Sequence, residues 1–173
     1  FNLSCFAQAL LPLIDKNPDQ AAELAKQELE KYQTSFISDY ADLMRNKLGL
    51  AESYNEDQRL LDDLLGLMKE DHIDYTILFR KLCDFKIEDL NNNAAIRVIF
   101  IHREEFDQWA NLYQLRLIKE ASNDKQRSIK MKQFNPKYIL RNYMAEVAIK
   151  KAENKKDYSE IERLFELLQN PFD

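Results

Sequence analysis

Only two glycines and four prolines occur in 173 residues, too few for the turns that a sheet-rich chain of this length requires, so extensive β-structure is excluded. Cysteine is equally scarce. Cys5 and Cys83 stand far apart, with neither a CxxC spacing nor a Cys/His companion, which argues against structural zinc and for two reduced thiols packed in a core. Basic residues are in deficit: 25 Lys and Arg against 30 Asp and Glu leave a formal charge of -5, the wrong sign for a generic nucleic-acid surface. No apolar run approaches the ~20 residues of a membrane span, and no basic region precedes the apolar start, so neither membrane insertion nor secretion is expected. GxxxxGK[ST], GxGxxG and GxSxG are all missing, and with them any sequence-level phosphate cradle or nucleophile elbow.

What is present suits long helices. Charged residues make up 32% and hydrophobic residues 45% of the chain, with apolar positions recurring at three- and four-residue spacings. The expected class is all-α: a single domain of about eight helices with antiparallel helical hairpins and no significant sheet. At this length a chain buries roughly 70% of the surface its unfolded form exposes. Phe1 to Ile14 is a short apolar helix with Leu3, Phe6, Ala7, Leu10 and Leu11 on one side. Asn17-Pro18 is a cap followed by a first-turn proline, opening a helix that runs to Leu48 with a seam of Ala25, Leu29, Tyr32, Phe36, Tyr40, Leu43, Met44 and Leu48. Gly49 suits the left-handed residue that closes it. Asn55 to Gln58 is a capping signal for a helix carrying Leu60, Leu61, Leu64, Leu65 and Met68. Gly66 inside it implies a close neighbour, since glycine costs ~1 kcal/mol there relative to alanine.

Asp74 caps the next helix, with Tyr75, Leu78, Phe79 and Leu82 inward, and Asn91 to Asn93 form a loop. A long pattern through Ile96, Ile99, Phe100, Phe106, Trp109, Tyr113 and Leu117 makes one helix or two. Ser122 to Asp124 turn into a short basic helix. The last forty residues form a helix pair. Asn135-Pro136 repeats the cap-plus-proline signature and predicts a start there, with Leu140, Tyr143, Met144, Val147 and Ala148 buried. Asp157 and Glu160 predict a capping box for a second stripe of Ile161, Leu164, Phe165 and Leu168, stopped by Asn170-Pro171.

Candidate chemistry is sparse. His102, Glu104 and Glu105 lie on a helix, but HREE lacks a second histidine four residues on and reads as surface pairing. His72 falls in a polar turn. Asp62 and Asp63 point about 100° apart on a helix and cannot face one another as a catalytic pair. Lys125, Arg127, Lys130, Lys132 and Lys137 form a basic run whose ordinary meaning is a solvated face. Phe100, Phe106, Trp109 and Tyr113 have core spacing. Arg80, Arg116 and Arg141 adjoin apolar faces and are expected to anchor helices through buried or half-buried ion pairs.

A likeness to a known family spans almost the whole chain. KMKQFNPKYILRN (Lys130 to Asn142), followed by an alternating helix and LLQNPFD, resembles the C-terminal part of the selenoprotein O family, protein adenylyltransferases with a kinase-like, pseudokinase-type core. Phe1 to Ile14 resembles that family's segment just beyond the catalytic region, with Phe1 in place of Trp. Lys47 to Leu50, Leu60 to Met68, DYTILFRKL (Asp74 to Leu82) and FDQWANLYQLRL (Phe106 to Leu117) follow in the same order.

The resemblance implies AMP transfer from ATP to Ser, Thr or Tyr hydroxyls of proteins (AMPylation), with Mg or Mn. It places the lysine, metal-binding Asn and Asp-Tyr-Gly elements before Phe1. No catalytic, cofactor-binding or metal role is therefore carried onto any residue of this sequence, nor is a Cys or selenocysteine tail. The implied partners are the N-terminal kinase-like domain of the same chain, against which residues 1–14 pack, and the protein substrates of the whole enzyme; nucleic acid and membrane are not among them. The implied location is cytoplasmic in a bacterium and mitochondrial in a eukaryote. Starting at Phe1 rather than Met suggests an excerpt of a longer chain or a processed terminus. From a different class, the same stripes fit a freestanding helical scaffold or adaptor that binds partner helices.

Overall fold

Asn17 starts the longest helix as expected: its side-chain oxygen accepts from the amides of Asp19 at 3.0 Å and Gln20 at 3.4 Å, and Pro18 occupies the first helical position, where a missing N–H costs nothing. A computed structural model describes residues 1–173 and contains nine α-helices, one 3-10 turn and no strand. The chain is all-α, with one helix more than anticipated. It divides into two compact units, Phe1–Leu43 and Met44–Asp173.

The first unit consists of α1 (Asn2–Ile14) and most of α2 (Pro18–Leu48). Residues 1–4 line a shallow groove with Lys26, Leu29 and Tyr32 of α2, as an antiparallel pair requires. Ala21 and Ala25 are the buried residues of this unit. The expected seam of α2 is open in its middle, where Tyr32, Phe36, Tyr40 and Leu43 are all exposed and the three rings stack at 6.1 and 6.3 Å. Cys5 is exposed too, against the expectation of a core thiol.

The second unit holds the core. It comprises the last turns of α2, then α3 (Asp57–Glu70), α4 (Tyr75–Leu82), a 3-10 turn (Leu90–Asn93), α5 (Ala94–Arg97), α6 (Arg103–Lys119), α7 (Asp124–Phe134), α8 (Asn142–Lys155) and α9 (Ser159–Gln169). Asp74 and Asn123 cap α4 and α7 by accepting from the amides of Ile77 and Gln126. The aromatic stripe is indeed interior: Phe100, Phe106, Trp109, Tyr113 and Phe85 form a continuous run of ring contacts at 4.3 to 6.0 Å. Trp109 donates its indole N–H to the Leu60 carbonyl at 2.9 Å, which ties α6 to α3 and satisfies the ring's polar edge. Gly66 is exposed, and a methyl group there would meet nothing within 4 Å, so close packing does not explain it.

The pattern from Ile96 to Leu117 resolves into two helices. Val98 to His102 interrupt them, and the buried carboxylate of Asp71 fixes that break by accepting from the amides of Ile101 at 2.8 Å and His102 at 3.1 Å. Asn93 shapes the preceding turn, exchanging two hydrogen bonds with the backbone of Lys86 at 2.7 and 2.9 Å.

The largest departure concerns Asn135-Pro136. No helix begins there; α7 ends there, and α8 starts only at Asn142 with Arg141 at its cap. Pro136 has no N–H to offer the carbonyl four residues back, that of Lys132, and Arg80 takes that carbonyl instead at 3.4 Å. Asn135 turns inward and is fully buried. The stripes of α8 and α9 are correspondingly shallow. Ala148 and Leu164 are buried, whereas Leu140, Tyr143, Val147, Ile161 and Phe165 are exposed. α9 begins after Tyr158, and Asp157 accepts from the Ser159 amide at 3.0 Å rather than forming a box with Glu160.

Candidate functional site

One polar constellation lies where two helix C-termini, those of α2 and α7, meet. A helix leaves its last four carbonyls without intrahelical donors. For α2 these are the carbonyls of Arg45, Asn46, Lys47 and Leu48, and each finds a donor. Gly49, at φ +70°, lets its own amide reach Asn46 at 3.1 Å and the Leu50 amide reach Arg45 at 3.0 Å, the paired bonds of a glycine-terminated helix. Asn135 donates its side-chain amide to Lys47 at 2.8 Å. The buried Tyr113 hydroxyl donates to Leu48 at 2.5 Å, and burial holds that phenol well above its ordinary pKa.

The end of α7 is served reciprocally. Lys47 donates its ammonium to the Phe134 carbonyl at 2.9 Å and to the Asn135 side-chain oxygen at 3.2 Å. Arg80 donates to the carbonyls of Lys132, Asn135 and Phe172. Each helix thus lends a side chain to cap the other. Both helices present the negative ends of their dipoles here, and the two cations offset them. The Lys47 ammonium lies 5.4 and 5.5 Å from the ring centroids of Tyr75 and Phe79, contacts that help hold a charge away from water. Burial nonetheless lowers its pKa.

Cys83 is buried beside this knot, donating to the Phe79 carbonyl at 3.3 Å and accepting from Asn135 at 3.6 Å; burial pushes its thiol up in pKa, which disfavours the thiolate. Sequence reasoning missed Lys47, although it lies on the same helix face as Met44 and Leu48. A cation on a core-facing stripe was the available signal.

The three singled-out arginines behave differently. Arg116 makes a buried ionic cluster, 2.5 Å from Asp57 and 2.8 Å from Glu120, with the Glu52 carbonyl at 2.7 Å. Its guanidinium also stacks 4.3 Å from the Tyr54 ring centroid. Glu120 in turn accepts from the amides of Ala51 and Glu52, so both carboxylates that share the one guanidinium are hydrogen-bonded. Arg141 forms a half-exposed pair with Asp74 at 2.5 Å, and that hydrogen bond, with the Ile77 amide, holds Asp74 below the usual carboxylate range against the opposing effect of burial. Arg80 has carbonyl acceptors rather than the expected ionic partner.

The other candidates disperse. His102 pairs through Nδ1 with Asp71 at 2.5 Å rather than with Glu104 or Glu105; this bond raises the imidazole pKa. For Asp71, burial pulls upward, but the donors from His102 and Ile101 prevail and the carboxylate sits low. His72 is exposed in a left-handed turn at φ 52°. Asp62 and Asp63 face solvent, bonded along the helix to Gln58 and Arg59. The basic run is no uniform solvated face: Arg127 is buried and donates to the Phe85 carbonyl at 2.5 Å, and Lys132 pairs with Asp84 at 2.8 Å. Among the described residues no three His, Cys, Asp or Glu side chains gather as metal ligands would. No helix is long and apolar enough to cross a membrane.

Residues 1–169 match the family described as protein adenylyltransferase SelO. Protein nucleotidyltransferase YdiU of Burkholderia orbicola is 43% identical over 182 residues, and that of Burkholderia cenocepacia is 42% identical over the same span. In each comparison the whole of this chain is covered, and it spans about a third (35%) of the relative's length. With nearly every residue matched and the order of segments kept, the chain belongs to the SelO family of protein adenylyltransferases.

Proposed function

We propose that this chain is the C-terminal helical domain of a protein adenylyltransferase that moves AMP from ATP onto Ser, Thr or Tyr hydroxyls of other proteins, and that it supports the catalytic region rather than performing the transfer. ATP and its Mg or Mn belong, in this reading, to a kinase-like core outside these residues. The donor chemistry supports that division. The interior carboxylates of Asp57, Glu120 and Asp71 are already engaged by Arg116, His102 and backbone amides, and Lys47 and Arg80 cap the end of α7. These residues do not fit a metal–nucleotide site. In this reading the chain shares its core's compartment, the cytoplasm of a bacterium or the mitochondrion of a eukaryote.

One observation carries the supporting role: α1, among the most apolar segments of the chain, buries none of its residues. Phe1, Leu3, Phe6 and Leu13 are exposed, and so is the Tyr32, Phe36 and Tyr40 ladder of α2. Apolar surface of this extent belongs to an interface, and the occupant proposed here is the kinase-like domain of the same polypeptide. The isolated chain is expected to fold, to bind no ATP by fluorescence titration, and to transfer no labelled AMP. Phe6→Glu is expected to destabilise the full-length enzyme while leaving the isolated chain's unfolding midpoint unchanged. AMP transfer by the isolated chain, or a full-length enzyme indifferent to Phe6→Glu, would defeat the proposal. An upstream reading frame without Asp-Tyr-Gly would favour the adaptor instead.

A further inference from the structure

The α8–α9 hairpin is built differently from the helices before it. Its two helices pack along one another, bury one residue each, and are joined through Lys156 in the left-handed conformation. Glu160 binds the pair together internally, accepting from Lys151 at 3.1 Å and from Arg163. Both ends of the hairpin return to each other and to α4. There the amides of Lys137 and Tyr138 donate to the Pro171 carbonyl at 2.7 and 3.0 Å, Arg80 donates to Phe172 at 3.1 Å, and Arg141 pairs with Asp74 at 2.5 Å.

We infer that α8 and α9 form a rigid arm, capped by Arg141, that swings as one body on the paired segments 136–140 and 170–173, with the Arg141–Asp74 ion pair as its releasable latch. The reasoning is one of contrast. α3 and α6 contribute five and six buried residues to the core, so moving either would expose large apolar surface. Moving the arm disturbs little such surface and a few bonds at its base, contacts of the kind that open at low free energy. The latch is half-exposed, at 35% and 32% of the two side chains, and therefore open to screening by salt.

Spin labels at Asn154→Cys, on the arm, and Gln108→Cys, on α6, in a Cys5→Ser background, report the motion by double electron–electron resonance. The expected result is two distance populations. Arg141→Gln should enlarge the minor one about two- to fivefold, the effect of a single partly exposed ion pair. Raising salt to ~0.5 M should do the same in the parent and little in the variant. Should Arg141→Gln fail to fold, the salt series on the parent decides alone. One narrow population, or two that ignore both salt and Arg141→Gln, would overturn the arm.

Discussion

The chain has two glycines, and replacing each by alanine should shift stability in opposite directions. Gly66 lies inside α3, exposed, with no heavy atom within 4 Å of an added Cβ. Alanine there forfeits no contact and removes the conformational freedom that glycine gives the unfolded chain, worth about 0.5–1 kcal/mol. For a protein of this size that raises Tm by roughly 1–4 °C. Gly49 is the reverse case. At φ +70° a side chain is strained by about 1–2 kcal/mol, and its Cβ would come within 2.5 Å of Arg127 Cγ and 2.7 Å of Met131 Sδ, both in buried residues. Overpacking of that kind adds about 1–3 kcal/mol. Gly49→Ala should therefore cost about 2–5 kcal/mol in all. Urea unfolding followed by far-ultraviolet circular dichroism separates the two variants. Loss of stability in Gly66→Ala, or tolerance of Gly49→Ala within 0.5 kcal/mol, roughly the scatter of neutral surface changes, would refute this reading of the two sites. The pair has a further use. Should Gly66→Ala stabilise the isolated chain yet harm a full-length adenylyltransferase, Gly66 would mark a surface that the rest of the enzyme covers.

Arg116→Met should destabilise by about 3–5 kcal/mol, because it strands the buried carboxylates of Asp57 and Glu120; adding Asp57→Leu and Glu120→Leu should restore part of the loss in the same urea series. Stability should fall as pH rises through the elevated pKa of His102, since the folded state holds that proton more tightly than the unfolded one. It should fall again in acid, as Asp71 takes up a proton that its bonded carboxylate resists. Asp71→Asn should flatten the upper limb, and an unchanged profile would exclude the pair as its source. Lys47→Met should cost about 1–3 kcal/mol by leaving the C-terminal carbonyl of Phe134 without its donor. A disulfide exchange reagent should titrate Cys5 at once and Cys83 only on unfolding; two fast thiols would contradict the burial of Cys83.

Much of the helical framework is legible from local signals. Asn17-Pro18, Gly49, Asp74 and Asn123 act within one turn of themselves, through a side-chain oxygen or a single left-handed residue, so their effect needs no partner from elsewhere. The aromatic spine from Phe100 to Tyr113 was equally visible, because apolar spacing at helical pitch implies a buried face whatever covers it. The surroundings of Gly66, Lys47 and Asp71 were not. Whether Gly66 has a neighbour, whether Lys47 points at a carbonyl, and whether Asp71 holds a distant loop depend on residues tens of positions away.

Asn17-Pro18 and Asn135-Pro136 draw the line most sharply. The same dipeptide opens α2 at the first position and ends α7 at the second. At Asn17 the following amides are free and in reach, so the local signal prevails. At Asn135 the end of α2 arrives with an uncapped Lys47 carbonyl and an ammonium seeking acceptors, and the asparagine amide serves both. The sequence by itself determined the all-α class, the family and the places where helices can begin. Which apolar stripes are covered, and which of two identical signals is obeyed, was decided by tertiary structure, because a polar group goes wherever burial leaves another one unpaired.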